Sequence, residues 1–393
     1  MNILIIGGTG VLSTAVVQEA LSKGIKVTMI NRGNRKERIP KSAELITADK
    51  DNKQLISHYL GNRSFDAICD FLCFNDSELE KSFNFYSNYT KQYFFISSAA
   101  VYNNSIPGAC SEGHEKIQKL WPYSINKWNS ELKLMELAQQ SDTNYTIIRP
   151  EVTYDDTRIP YGIVPFYGYH WTLVERILHD KPIITWNGGE NRCNMMRVED
   201  FAVGMVGLIG NKEAYNEAFN ICGDETPSFK EVMNTVGRII NHPVKFIDVN
   251  PNFYAQEDPA HCGELLGGRA IDAIIDNSKI KSIVSNFKQT IKLEEGLRRT
   301  LKAYQDHNYY KGIDWAYDGN IDRILLKWCK TKKIDHLDKN LQFIDYQDNA
   351  KLKDRVNYLI KRRADNQLIK MYYSANLKIK QYILKLVRSI RYK

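Results

Sequence analysis

The chain has 393 residues, 43% of them hydrophobic and 25% charged, with 54 Lys and Arg against 46 Asp and Glu for a net charge of +8. This is ordinary globular composition, and it excludes disordered, collagen-like and disulfide-scaffold chains. The charge is unevenly spread: residues 321–393 carry 19 basic and seven acidic residues, a balance of +12, which leaves the first 320 residues at −4. The basic character therefore belongs to the tail and says little about what the body binds.

Seven scattered cysteines with no CxxC pair argue against a disulfide framework or a zinc site and for a reducing, cytoplasmic setting. The opening MNILIIGGTG has no basic segment before its apolar run and reads as a buried strand rather than a signal peptide. No stretch approaches the ~18 apolar residues that span a bilayer.

Along the first half, strand-like and helix-like segments alternate. Asn2–Ile6, Lys26–Ile30, Glu44–Ile46, Phe65–Phe74, Gln92–Ser97 and Tyr145–Ile148 read as strands, and Ser13–Ser22 has helical spacing. The alternation predicts an α/β fold, a Rossmann-type doubly wound parallel sheet over residues 1–164. Helical stretches at Trp171–His179, Asp200–Ile209 and Ser228–Ile240 predict a smaller substrate lobe over 165–305 that also returns strands to the main sheet. The polar, aromatic run HNYYKGIDWAYDGN opens a basic, amphipathic helical extension over 306–393. In its last part, cations interleave with Ile369, Tyr372, Leu377, Ile379, Tyr382, Ile383, Leu386, Val387 and Ile390. That pattern fits an anionic membrane surface, a nucleic acid, a partner subunit or a solvated face.

GGTGVLS follows the first strand and opens the first helix, as a dinucleotide-binding loop does. Gly7 allows the turn and Gly10 the approach of a pyrophosphate, beside Thr9, Val11 and Leu12; Ser13 replaces the third glycine. The second strand ends in Asn31-Arg32 with no acid. An acid there would bond the ribose 2′-OH of NAD, whereas an Arg accommodates the 2′-phosphate of NADP, so the cofactor is read as NAD(P), leaning to NADP. Asp49 after the third strand is either near the adenine or a loop cap.

Downstream, FFISSAAVY ends a strand at Ser97-Ser98, and WPYSINKW puts Tyr123 and Lys127 on one helical face. A phenol titrates near ~10, and a neighbouring ammonium lowers that value, so Tyr123 can exchange a proton with a sugar hydroxyl that Ser98 also bonds. Arg158 and Arg192 are candidate clamps for a diphosphate or uronate, or else surface ion pairs. His114, in a loop, is either a second acid/base or solvated, and Cys69 and Cys73 read as small packing residues.

With the glycine loop, the serine-ended strand, YxxxK and IIRPEVTY in this order, the chain resembles the extended short-chain dehydrogenases/reductases of the NAD-dependent epimerase/dehydratase family. Arg149-Pro150, Arg197-Val198-Glu199-Asp200, Phe219-Asn220-Ile221, Asp276–Lys279 and Leu293–Leu297 extend the resemblance over about residues 1–305. The spacing of 25 from Ser98 to Tyr123 matches the family's sugar-nucleotide 4-epimerases. The resemblance implies that Ser98, Tyr123 and Lys127 are the catalytic triad and that Lys127 also holds the nicotinamide ribose. It further implies cofactor contacts at Leu72, Pro150 and Val152, substrate contacts at Glu112, Arg158 and Arg192, no metal, and a homodimer.

Ala99-Ala100 stand where the family's 4,6-dehydratases carry Asp-Glu, which disfavours dehydration. The expected function is thus oxidation–reduction of a nucleotide sugar, as an epimerase through a keto intermediate in surface-polysaccharide synthesis, or as a one-way NADPH-dependent reductase. Peripheral membrane contact through the tail is a further expectation. An RNA-binding protein on the same scaffold is the reading from another class. The family's chloroplast stem-loop-binding relatives share a turn like Asn31–Gly33, but the tail holds no recognised RNA module.

Overall fold

Apolar runs flanked by glycine and by helical segments can bury both faces only inside a layered α/β body, and the computed structural model, which describes residues 1–116, 120–334 and 340–365, has that form. The strands are β1 (Asn2–Ile6), β2 (Lys26–Asn31), β3 (Glu44–Thr47), β4 (Ala67–Asp70), β5 (Gln92–Ile96), β6 (Asn144–Pro150), β7 (Val152–Tyr154), β8 (Ile183–Thr185), β9 (Met195–Arg197), β10 (Glu217–Ile221) and β11 (Phe246–Asp248). The helices of the sheet layer are α1 (Val11–Ser22), α2 (Lys53–Leu60), α3 (Asp76–Tyr86) and α4 (Pro122–Ala138). Those that follow are α5 (Trp171–Leu178), α6 (Val198–Gly207), α7 (Phe229–Ile239), α8 (Pro251–Glu257), α9 (Cys262–Glu264), α10 (Ser278–Ile283), α11 (Leu293–Asp306), α12 (Trp315–Lys332) and α13 (Leu352–Arg362).

Seven strands form one parallel sheet in the order β10-β6-β5-β4-β1-β2-β3. Strand order reverses between β1 and β4, and the crevice at such a switch point is where open α/β sheets take ligands. The second half of the chain adds a strand to this sheet: β10 pairs with β6, Phe219 beside Ile148. Ile3, Ile5, Phe94 and Phe219 bury on one face against α1 and α6, and Leu4, Ile68 and Phe95 on the other against α3 and α4, where Leu134 of α4 joins them. A third cluster, around Trp171, Trp186, Tyr254 and Leu297, fills the smaller lobe and extends into Ile324, Leu325 and Tyr358 of α12 and α13.

One strand is shorter than its sequence pattern. Phe65–Phe74 reads as continuous, yet β4 is only Ala67–Asp70. The buried Asp70 carboxylate accepts the Leu72 N–H at 2.7 Å and the hydroxyls of Tyr93 and Ser82, which ends the ladder; beyond it Cys73 stays buried while Phe74 turns outward. Phe74 is 52% exposed as a result.

After α11 the chain reverses through three left-handed residues, Asn308, Tyr309 and Tyr310, and enters α12 behind the Asp314 cap. The interleaved stretch from Ile369 onward lies outside the described residues.

Candidate active site

The residues just past the carboxyl ends of β1 to β6 line one cavity of about 1040 Å³. Its floor is the glycine loop. Gly7 donates to the Ile30 carbonyl at 2.9 Å with φ at +109°, a conformation that favours glycine. A Cβ on Gly8 would overlap the Met29 methyl, so the loop lies tight on β2. Ser13, in place of the third glycine, accepts the Gly10 N–H at 2.9 Å through its hydroxyl and is itself buried. Helix α1 begins at Gly10, which has no side chain to cap it and no acid in its first turn. Open N–H groups and the positive helix end therefore face the cavity and fit a dinucleotide pyrophosphate.

The Asn31 amide ties the end of β2 to this loop. It donates to the Gly7 carbonyl at 3.2 Å and accepts from the Gly33 N–H at 2.8 Å. Arg35 reaches the Thr9 carbonyl at 3.0 Å, while Arg32 and Asp49 line the cavity from exposed positions.

Helix α4 carries Tyr123 and Lys127 and is oriented by a buried chain of polar groups. Arg149 on β6 makes a two-pronged ion pair with Glu131 of α4 at 2.6 and 3.0 Å. Glu131 also accepts the Ser97 hydroxyl at 2.5 Å, and Arg149 donates to Tyr102, which donates to Asn220 at 2.7 Å. This fixes the helix against the strand that ends at Ser98. Two turns back, Tyr123 and Lys127 face the cavity.

The Lys127 ammonium donates to the carbonyls of Cys73 and Ile96 at 2.6 and 2.7 Å and lies 6.0 Å from the Tyr123 ring centre. Burial brings its pKa down to about 8. Burial pushes the Tyr123 phenol up, against the opposing pull of the Ser98 hydrogen bond and the cations Arg158 and Arg269.

At the far end Arg158 and Arg269 converge. Each raises the cost of charging the other, Glu264 pairs with Arg269 at 3.2 Å, and no described residue bonds the Arg158 side chain. The Arg158 guanidinium, bonded by no described side chain, is free to take an anion.

All the cofactor positions read from the sequence line this cavity: Gly7, Thr9, Gly10, Val11, Leu12, Asn31, Arg32, Asp49, Leu72, Tyr123, Lys127, Pro150 and Val152. Ser98 and Arg158 join them. Two substrate candidates do not. Glu112 accepts the Asn220 N–H at 2.8 Å and holds β10 in place, and Arg192 is spent on Thr226 at the surface, because the loop that carries it turns away at its bridge to Ser228. His114 sits beside Tyr102 and the Asn103 carbonyl, also outside. Sequence reasoning missed Arg269 and Glu151. The first was signalled only by GGR in an irregular stretch, the second by an acid inside the quoted RPEVTY.

The sequence model of the NAD dependent epimerase/dehydratase family matches residues 3–88 and 83–222. A chloroplast stem-loop binding protein of 41 kDa (b) from Arabidopsis thaliana is 28% identical over 244 residues, 58% of this chain and 60% of its own length. The chain thus spans about three fifths of that relative. Among solved structures, UDP-glucuronic acid 4-epimerase from Bacillus cereus, in complex with UDP-glucuronic acid and NAD, matches with a TM-score of 0.63 at 18% identity, over 78% of this chain and 99% of that one. UDP-glucose 4-epimerase from Thermotoga maritima, with UDP-glucose, matches with the same score and identity over 78% and 100%. At such identities the likeness is one of fold.

Proposed function

The chain belongs to the NAD dependent epimerase/dehydratase family and has the fold of an extended short-chain dehydrogenase/reductase, and from that membership we propose that it oxidises and reduces a nucleotide-activated sugar, as an epimerase working through a keto intermediate. The observation that carries the reading is the meeting of Ser98, Tyr123 and Lys127 with an open helix N-terminus at one end of a cavity and the Arg158–Arg269 pair at the other.

Bound there, a nicotinamide dinucleotide supplies hydride acceptance and return. Gly7 and Thr9–Leu12 would hold its pyrophosphate, Asn31, Arg32 and Asp49 its adenosine end, and Lys127 its nicotinamide ribose. Tyr123 takes the proton of the sugar hydroxyl and later returns it, and Ser98 orients that hydroxyl. Lys127, pinned by two carbonyls, keeps a positive charge near the phenol, and the two arginines add to it. The same arginines suit the diphosphate of the substrate.

The exposed Arg32 and the absence of an acid at the end of β2 support NADP over NAD, which would favour one-way reduction. The exposed Ile125 and Leu132 on α4 support a homodimer. Surface-polysaccharide synthesis and membrane contact by the tail rest on the sequence alone. The second reading, stem-loop binding, is favoured by the name of the chloroplast relative and by the Asn31–Gly33 turn.

The test is Tyr123→Phe against UDP-glucose and UDP-glucuronic acid, together with identification of the dinucleotide released on denaturation. The variant should bind the dinucleotide as wild type does and lose about 100-fold or more in turnover. Full turnover in the variant would refute the role. Salt-steep binding of an RNA hairpin with no turnover in the wild type would favour the second reading.

A further inference from the structure

Nothing so far uses Glu151. It stands between β6 and β7, at the carboxyl end of the strand next to edge strand β10, and lines the cavity with Tyr123, Arg158 and Arg269. Its carboxyl takes no hydrogen bond or ion pair from any described residue. Five groups feel its charge. Tyr123 reaches it from α4, Arg269 from the stretch after α9, and the thiols Cys110, Cys193 and Cys222 from three further segments. Burial keeps all three thiols protonated at neutral pH, and Arg269 is already engaged by Glu264. An acid with free oxygens thus faces the cavity, while the end of β5 offers only Ala99 and Ala100.

We propose that Glu151 is a second catalytic acid–base group, which exchanges the proton on the ring carbon beside the carbonyl of a keto-sugar nucleotide. The inference rests on the nucleotide-sugar reading above and extends its chemistry to an adjacent carbon. The step balances without an added oxidant or reductant. The C–H bond next to the carbonyl breaks, its electron pair moves into the carbonyl as an enolate, and the proton goes to the Glu151 carboxylate. Return of that proton, or of a deuteron taken up from solvent, re-forms the bond. Burial raises the carboxyl to about 7, which gives it both protonation states at neutral pH. Tyr123 remains the partner of the hydroxyl oxygen, so the two groups divide the work between oxygen and carbon.

The test incubates the full chain with UDP-4-keto-6-deoxyglucose, or its dTDP counterpart, in D2O and follows deuterium at the carbons flanking the carbonyl by mass spectrometry. Deuterium should enter faster than in buffer, with a rate that rises through about pH 7. Glu151→Gln should slow it about 100-fold, and Glu151→Asp, which keeps a proton acceptor, should restore part of it. A carboxyl band lost in Glu151→Gln and titrating near neutral pH in difference infrared spectra is the readout that needs no turnover. Exchange at the buffer rate in wild type, or at the wild-type rate in Glu151→Gln, would overturn the proposal while leaving the nucleotide-sugar reading intact. If neither probe raises the melting temperature of the wild type, that reading fails and the proposal fails with it.

Discussion

Lys127 and Glu151 show how one cavity moves two kinds of charge in the direction of neutrality. Burial lowers the ammonium to about 8, yet two backbone carbonyls hold it in place. Burial raises the carboxyl from an ordinary 4.5 to about 7, with only the attraction of Arg269 opposing. Folding therefore tightens proton binding at Glu151. Its contribution to stability is fully present below the unfolded value and is lost as the pH rises through about 7. Glu151→Gln should then melt above wild type at about pH 8 and close to it at about pH 5, read by calorimetry. Equal melting at the higher pH would mean that the carboxyl is solvated. Tyr123 and Lys127 were legible in the sequence because YxxxK is a local pattern on one helix. Glu151 and Arg269 were not, because a lone acid and a lone base in irregular segments carry no period.

At the scale of elements, hydrophobic pattern located the strands but not all their ends. β4 stops at Asp70 because its own side chain captures the Leu72 N–H, while Tyr93 and Ser82, from other elements, donate to the same carboxylate. The pairing of α12 with α13 has a similar dependence. Gly319 lets the two helices approach so closely that a Cβ would overlap the Tyr358 carbonyl, which is backbone and cannot swing away. Gly319→Ala should destabilise the protein by about 1–3 kcal/mol, seen as a lower denaturation midpoint. An unchanged midpoint would mean that α13 is free to shift.

Across the whole molecule, the smaller lobe and the helices after it are joined by a buried ionic cluster. Arg176 and Lys181 meet Asp318 and Asp322, all at most 1% exposed, with Lys181 at 3.0 and 2.6 Å from the two carboxylates. Tyr346 and Tyr358 donate to the same carboxylates, so two cations and two anions are closed off by hydroxyls. Such a set contributes little net stability when whole but is costly to break. Asp318→Ala, which strands a buried cation, should cost about 3–5 kcal/mol and release α12 to faster hydrogen exchange. Melting like wild type would show that water reaches the cluster.

By itself the sequence determined the parallel sheet, the glycine loop that opens α1 and the placing of Tyr123 and Lys127 on one helical face, because each is written in a short-range period or motif. Only the tertiary structure decided that Glu112 and Arg192 stay outside the cavity, that Glu151 and Arg269 enter it, and that α12 and α13 share the core of the smaller lobe. Those outcomes depend on contacts between residues far apart in the chain, where distance and burial are properties of the packed fold and not of any local run of residues.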